Sequence, residues 1–213
     1  MEIPIYLKLK KRMHKDVAYA QDIIVEELYK VLPNTVIHGG TAIWRCYKGN
    51  RFSEDIDVYM DLEKEKIDLL FENLKKLGFI IIKKRIKGNS LYSVLSLNDT
   101  QVQLEAVFKK ENKFLKEYET SQGLFLNVYT LTPEDLIKEK TKTYLKRRKI
   151  RDLYDVFFLL RYVKNKEEIK NELEQFILNF EQSIDPENLQ IMILTPPIPT
   201  IKEMKEYIER WVK

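Results

Sequence analysis

A chain of 213 residues that is 44% hydrophobic and 11% aromatic can bury a dense core, which excludes wholesale disorder. One cysteine, Cys46, excludes an internal disulfide and a Cys-rich zinc site, and two histidines, His14 and His38, are too few for a histidine metal cage. The net charge of +4 is mild, no apolar run nears the roughly 18–20 residues that span a bilayer, and the N-terminus lacks a basic-then-apolar leader, so the expectation is a cytoplasmic protein without a membrane partner.

Apolar positions Val17, Ile24, Leu28 and Val31 predict a helix over 15–31, stopped by Pro33-Asn34. A short strand, Thr35-Val36-Ile37, runs into Gly39-Gly40, and Thr41 to Tyr47 reads as a short helix in which Trp44 and Cys46 pack. Residues 55–60 alternate acids with branched and aromatic residues, as a strand does. Lys64 to Leu77 is a helix with Ile67, Leu70, Phe71 and Leu74 on one face. Strands are expected near 79–87, 91–97 and 101–108, joined by turns at Gly88-Asn89 and Asn98-Asp99, and a further strand at 124–130. Thr132-Pro133-Glu134-Asp135 is a compact helix start, and the remainder is helical except for the Pro-rich 195–199. The pattern predicts an α+β domain over 1–131 followed by a helical domain over 132–213.

Asp55 and Asp57 lie two apart in a strand, so their carboxylates share a face. Two like charges that close favour a cation between them, and hard oxygen donors suit Mg²⁺; two solvated acids on an edge strand are the plainer alternative. Gly39-Gly40-Thr41 closes a strand and opens a helix, where backbone N–H groups and a hydroxyl can meet phosphate oxygens, or where a simple tight turn can sit. Between Lys138 and Arg151 stand eight basic residues against one acid, Glu139, a local surplus of +7 suited to phosphate or to a solvated helix face. Taken as one helix, Lys140, Arg147 and Arg151 form a stripe, with Leu145, Leu153, Val156, Phe157 and Leu160 on the packed side. If the helix breaks near Lys149, Asp152 could cap a new one, and Arg151 and Asp155 could pair at i,i+4.

The run His38 to Asp61, with Gly39-Gly40-Thr41 and then Arg51-Phe52-Ser53-Glu54-Asp55-Ile56-Asp57, resembles the signature of AbiEii-type nucleotidyltransferases, a branch of the polymerase-β-like superfamily. Glu139-Lys140, Arg147 and Arg151-Asp152-Leu153-Tyr154-Asp155 are similar to that family's C-terminal motif. The resemblance, over roughly residues 36–160, implies a mixed sheet flanked by helices. It also implies transfer of a nucleotide from an NTP to an acceptor hydroxyl with Mg²⁺ or Mn²⁺. In that reading Asp55, Asp57 and a third carboxylate, best matched by Glu105, hold the metal, and Glu105 helps deprotonate the acceptor. Gly39, Gly40, Thr41, Arg51, Ser53, Lys140, Arg147, Arg151, Asp152 and Asp155 would serve the nucleotide. Family toxins act on RNA, so RNA, with the tRNA 3′ end foremost, is the expected acceptor, and a cognate antitoxin the expected partner. Lys146, Arg148 and Lys149 match no motif position and would hold the RNA backbone. The alternatives are transfer to a protein side-chain hydroxyl, an NTP- or partner-binding module without catalysis, and a basic nucleic-acid binder.

Overall fold

The computed structural model describes residues 4–213. The chain divides into two compact units: one takes the chain up to Lys48 together with Phe52–Thr130, the other takes Gly49–Arg51 together with Leu131–Lys213. Among the described residues no helix is long and apolar enough to cross a membrane.

The first unit is built on one mixed sheet. In chain order its elements are α1 (Ile5–Lys8), α2 (Arg12–Val31), β1 (Val36–His38), α3 (Gly39–Cys46), β2 (Ile56–Met60), α4 (Lys64–Lys76), β3 (Ile80–Lys87), β4 (Ser90–Leu97), β5 (Thr100–Phe108), β6 (Phe114–Glu119) and β7 (Phe125–Thr130). The strands lie in the order β3-β4-β5-β2-β1-β7-β6. Pairings β2–β5 and β1–β7 are parallel, the remainder antiparallel. Two hairpins frame one wing, and the β4–β5 turn is tight because Asn98 and Asp99 both adopt positive φ, 48° and 64°.

Alternation decides which face is buried. Val102, Leu104 and Ala106 of β5 and Leu91 and Leu95 of β4 are buried, as are Val17, Ile24 and Leu28 of α2 and Ile67, Leu70, Phe71 and Leu74 of α4. The apolar run at 79–82 is an edge strand: Phe79 is buried, but Ile80 and Ile82 are exposed. Strand β6 was not anticipated from the sequence. Its segment, FLKEYE, carries charges on an edge, where they discourage pairing with other chains and hide the strand pattern.

The second unit is helical: α5 (Pro133–Arg147), α6 (Ile150–Leu159), a 3₁₀ turn (Leu160–Tyr162), α7 (Glu167–Leu178), α8 (Asn188–Met192) and α9 (Ile201–Val212). Thr132 caps α5, accepting from the Asp135 amide with Pro133 in the first turn. Thr200 and Glu203 form a full capping box on α9. The core includes Tyr144, Phe176, Ile169, Leu173, Met204 and Ile208.

The basic segment is not one helix. Arg148 takes a left-handed conformation, φ 50°, and separates α5 from α6. Consequently Leu145, expected on the packed side, is exposed. Lys140, expected on the basic stripe, is buried, because it shares a face of α5 with Leu136, Ile137 and Tyr144. Asp152 does not cap α6. Lys149 holds the cap position without a side-chain bond, and the Ile150 amide donates to Asp185 at 2.8 Å.

Candidate active site

Strand β2 carries Asp57, with Asp55 just before it, and buries Ile56 and Val58 on its other face. Register then assembles the neighbourhood. Asp57 stands opposite His38 on β1 and opposite Glu105 on β5. Partners across a sheet point to the same face, so His38, Asp57 and Glu105 form a row. The His38 ring stacks on Tyr59 at 3.7 Å between centroids.

Burial, followed by the charges of Asp57 and Asp55, holds the Glu105 carboxyl above its ordinary range. That shift records three acids crowded on one surface. Among the described residues no three His, Cys, Asp or Glu side chains are gathered into a metal-holding group. The donor chemistry nevertheless fits a hard divalent cation, since all three groups are carboxylates whose mutual repulsion a cation would relieve.

The glycine turn shapes this surface. Gly39 has φ 69°, and a Cβ there would collide with Asp57 Oδ2. Gly40 and Thr41 are buried. The Thr41 hydroxyl donates to the Asp55 carbonyl, so it fixes the chain that bears the acid. The Gln21 amide of α2 donates to the Ser53 and Glu54 carbonyls, both at 2.9 Å, and clamps the approach to Asp55. Arg45 supports the clamp from α3: fully buried, it pairs with Asp22 at 3.1 Å and donates to the carbonyls of Ala18 and Glu119. Sequence reasoning passed over Gln21, Asp22 and Arg45. Polar residues on otherwise buried helix faces were the signal.

In the helical unit Arg51, Lys140, Arg147, Asp152 and Asp155 come together. Arg51 grips Asp155 through two bonds of 2.6 Å, and Lys140 Nζ lies 2.8 Å from Asp155 and 3.4 Å from Asp152. Arg147 grips Asp152 at 2.7 and 2.9 Å. Both aspartates are fully buried. Burial works against the Asp155 charge, yet Arg51 and Lys140 hold its pKa below the ordinary range. These ion pairs join three cations, Arg51, Lys140 and Arg147, to the two aspartates. The expected Arg151–Asp155 pair does not form, because Arg51 and Lys140 occupy that carboxylate. Lys146 is exposed, Arg148 pairs with Glu181, and Lys149 lies 3.6 Å from Asp185.

The family model for AbiEii nucleotidyl transferase toxins of type IV toxin–antitoxin systems matches residues 27–202. No curated protein sequence matches the chain. Among solved structures, MenT4, a nucleotidyltransferase toxin from Mycobacterium tuberculosis H37Rv, superposes with a TM-score of 0.72 at 16% identity, over 99% of this chain and 89% of that one. JHP933 from Helicobacter pylori superposes with a TM-score of 0.65 at 19% identity, over 95% and 91%. At such identities these likenesses bear on the fold alone, an α+β arrangement.

Proposed function

The chain belongs to the AbiEii family of nucleotidyl transferase toxins, and from that premise we propose that it transfers a nucleoside monophosphate from an NTP to an RNA hydroxyl, with the tRNA 3′ end as the leading acceptor. The observation that carries the reading is the register that sets Asp57 beside Glu105, with Asp55 two residues away. Asp55, Asp57 and Glu105 would hold Mg²⁺ or Mn²⁺, which when bound neutralises triphosphate charge.

The chain's own groups perform the remainder. Gly39 leaves room for the Asp57 carboxylate, and Thr41 and Gln21 hold the backbone around Asp55. Glu105, whose pKa is raised by burial and then by Asp57 and Asp55, accepts the proton of the attacking hydroxyl. The hydroxyl oxygen bonds to the α-phosphorus, the α–β bridging bond breaks, and pyrophosphate leaves with the electron pair. In the helical unit Lys140 and Arg147 would serve a polyphosphate, Arg147 from the exposed edge of the cluster. Lys146, Arg148 and Lys149 serve the acceptor backbone, and the second and third must first leave Glu181 and Asp185. The type IV family further supports a cognate antitoxin as partner.

The test is incubation with labelled NTPs and total RNA in Mg²⁺ or Mn²⁺. Label should enter RNA, the cation should raise the melting temperature, and Asp57→Ala should abolish both effects while the fold persists. Label entering protein instead of RNA would overturn the acceptor.

A further inference from the structure

The helical unit contains a cavity of about 470 Å³ that the reaction above leaves unused. That volume lies within the roughly 300–1,000 Å³ range of small-ligand sites. Its walls are aromatic and proline surface. Phe157 of α6 and Tyr207 of α9 meet edge to face at 5.1 Å, beside Pro197 and Pro199. At the cavity stand two arginines, Arg161 and Arg210, both exposed.

The arginines are distinctive in their partners. Arg161 donates through Nε to the Phe158 carbonyl at 3.0 Å and lies over the Phe158 ring at 4.5 Å. Arg210 donates through Nε to the Glu206 carbonyl at 3.3 Å. Neither is ion-paired among the described residues, whereas on α9 Lys202 pairs with Glu206 and Lys205 with Glu209. The one carboxylate in the lining, Glu203, is bound to the amide and hydroxyl of Thr200 at 2.7 and 2.8 Å as part of the α9 capping box. Two guanidinium groups without an ion pair among the described residues thus share a cavity with aromatic rings set at angles to one another.

That combination narrows the ligand. A purely apolar occupant would cover two charges without pairing them. A bare phosphate would gain nothing from the aromatic wall. A nucleotide satisfies both, with its base against Phe157 and Tyr207 and its phosphates on the arginines. We propose that this cavity seats a nucleotide of a single-stranded RNA segment, distinct from the NTP that reacts at the carboxylates. The inference rests on the RNA-acceptor reading and adds to it a place where the strand is held.

The experiment measures binding of a fluorescent single-stranded RNA oligonucleotide by anisotropy at several salt concentrations, without NTP. Alongside it, NTP binding is titrated by calorimetry. The proteins compared are wild type, Arg161→Ala with Arg210→Ala, Phe157→Leu and Phe157→Trp, each checked for fold by circular dichroism. The double variant should weaken RNA binding and flatten the log–log salt slope by about 1.4, the contribution of two phosphates on a single strand. Phe157→Leu should weaken it roughly ten-fold through lost stacking, and Phe157→Trp should restore it. NTP binding should not change. If wild type binds and labels RNA but all variants bind it equally well, the cavity assignment is wrong and the acceptor reading stands. If wild type neither binds nor labels RNA, the acceptor reading falls and takes this one with it. Loss of NTP affinity with RNA affinity intact would make the cavity a nucleotide-substrate site. That result overturns the proposal.

Discussion

Gly39 leaves empty the space that the Asp57 carboxylate needs: it opens α3 at φ 69°, and a single added carbon would strike Asp57 Oδ2. Backbone and acid are therefore fitted to each other across β1 and β2. Gly39→Ala should destabilise the protein by about 1–2 kcal/mol through backbone strain and should also displace Asp57, so that activity falls beyond what stability explains. Gly78→Ala is the control, since Gly78 has φ 94° but a Cβ there would meet only Leu97, at 3.6 Å. Denaturant midpoints and transfer rates of both variants settle the matter. Equal activity loss in the two would mean that strain alone, not the carboxylate, is responsible.

Glu105 makes stability depend on pH in an unusual direction for an acid. Burial, then Asp57 and Asp55, raise its pKa. The folded protein keeps that proton to higher pH than the unfolded chain does. The linked stability is complete below the ordinary glutamate range and is lost as pH rises through the raised value. Glu105→Gln should flatten that decline, visible in melting temperatures across pH, while transfer is lost. Asp57→Asn should bring the Glu105 titration down, followed by carboxyl NMR. A titration that stays put in Asp57→Asn would refute the coupling.

Asp155 behaves in the opposite sense. Despite its burial, Arg51 and Lys140 depress its pKa, so it contributes stability above the ordinary aspartate range and loses it as pH falls through the lowered value. Asp155→Ala strands two buried cations and should cost about 3–5 kcal/mol. Arg151→Ala, which removes no partner of Asp155, should stay within about 0.5 kcal/mol. Urea unfolding of the two variants compares them directly. Similar losses would restore the i,i+4 pair and contradict the cluster.

Expression without an antitoxin should slow the growth of a bacterial host, and Asp55→Ala should relieve it at equal protein level. Growth curves with immunoblots supply the check. Equal toxicity of both forms would point to binding or misfolding rather than nucleotidyl transfer.

Apart from β6, the sheet was legible because its signal is local. Alternation in β4 and β5, the Asn98-Asp99 turn and the glycine stop after α4 each declare themselves within a few residues. The relation of Asp57 to Glu105 was half legible: alternation gave Glu105 its face, while the pairing between parallel strands came only from the fold. The internal pairing of the buried cluster was not legible, for a physical reason. Sequence offers i,i+4 partners, so Arg151 looked like the mate of Asp155, whereas Arg51 stands 104 positions away. One left-handed residue, Arg148, then altered the facing of everything around it. Clusters of buried charge defy periodicity, since Lys140 occupies a core position that composition assigns to solvent.

Arg51 also carries a consequence for synthesis. It lies in Gly49–Arg51, the short early stretch that belongs to the helical unit. On a ribosome this guanidinium emerges long before Asp155, and until the later helices arrive it stays hydrated. The helical unit thus cannot be completed from its own contiguous stretch of chain. A fragment beginning at Leu131 would present Asp155 and Lys140 without their arginine and should fold poorly. Supplying the first 130 residues as a separate polypeptide should rescue it, so activity rebuilt from two co-expressed fragments would depend on Arg51 being in the first.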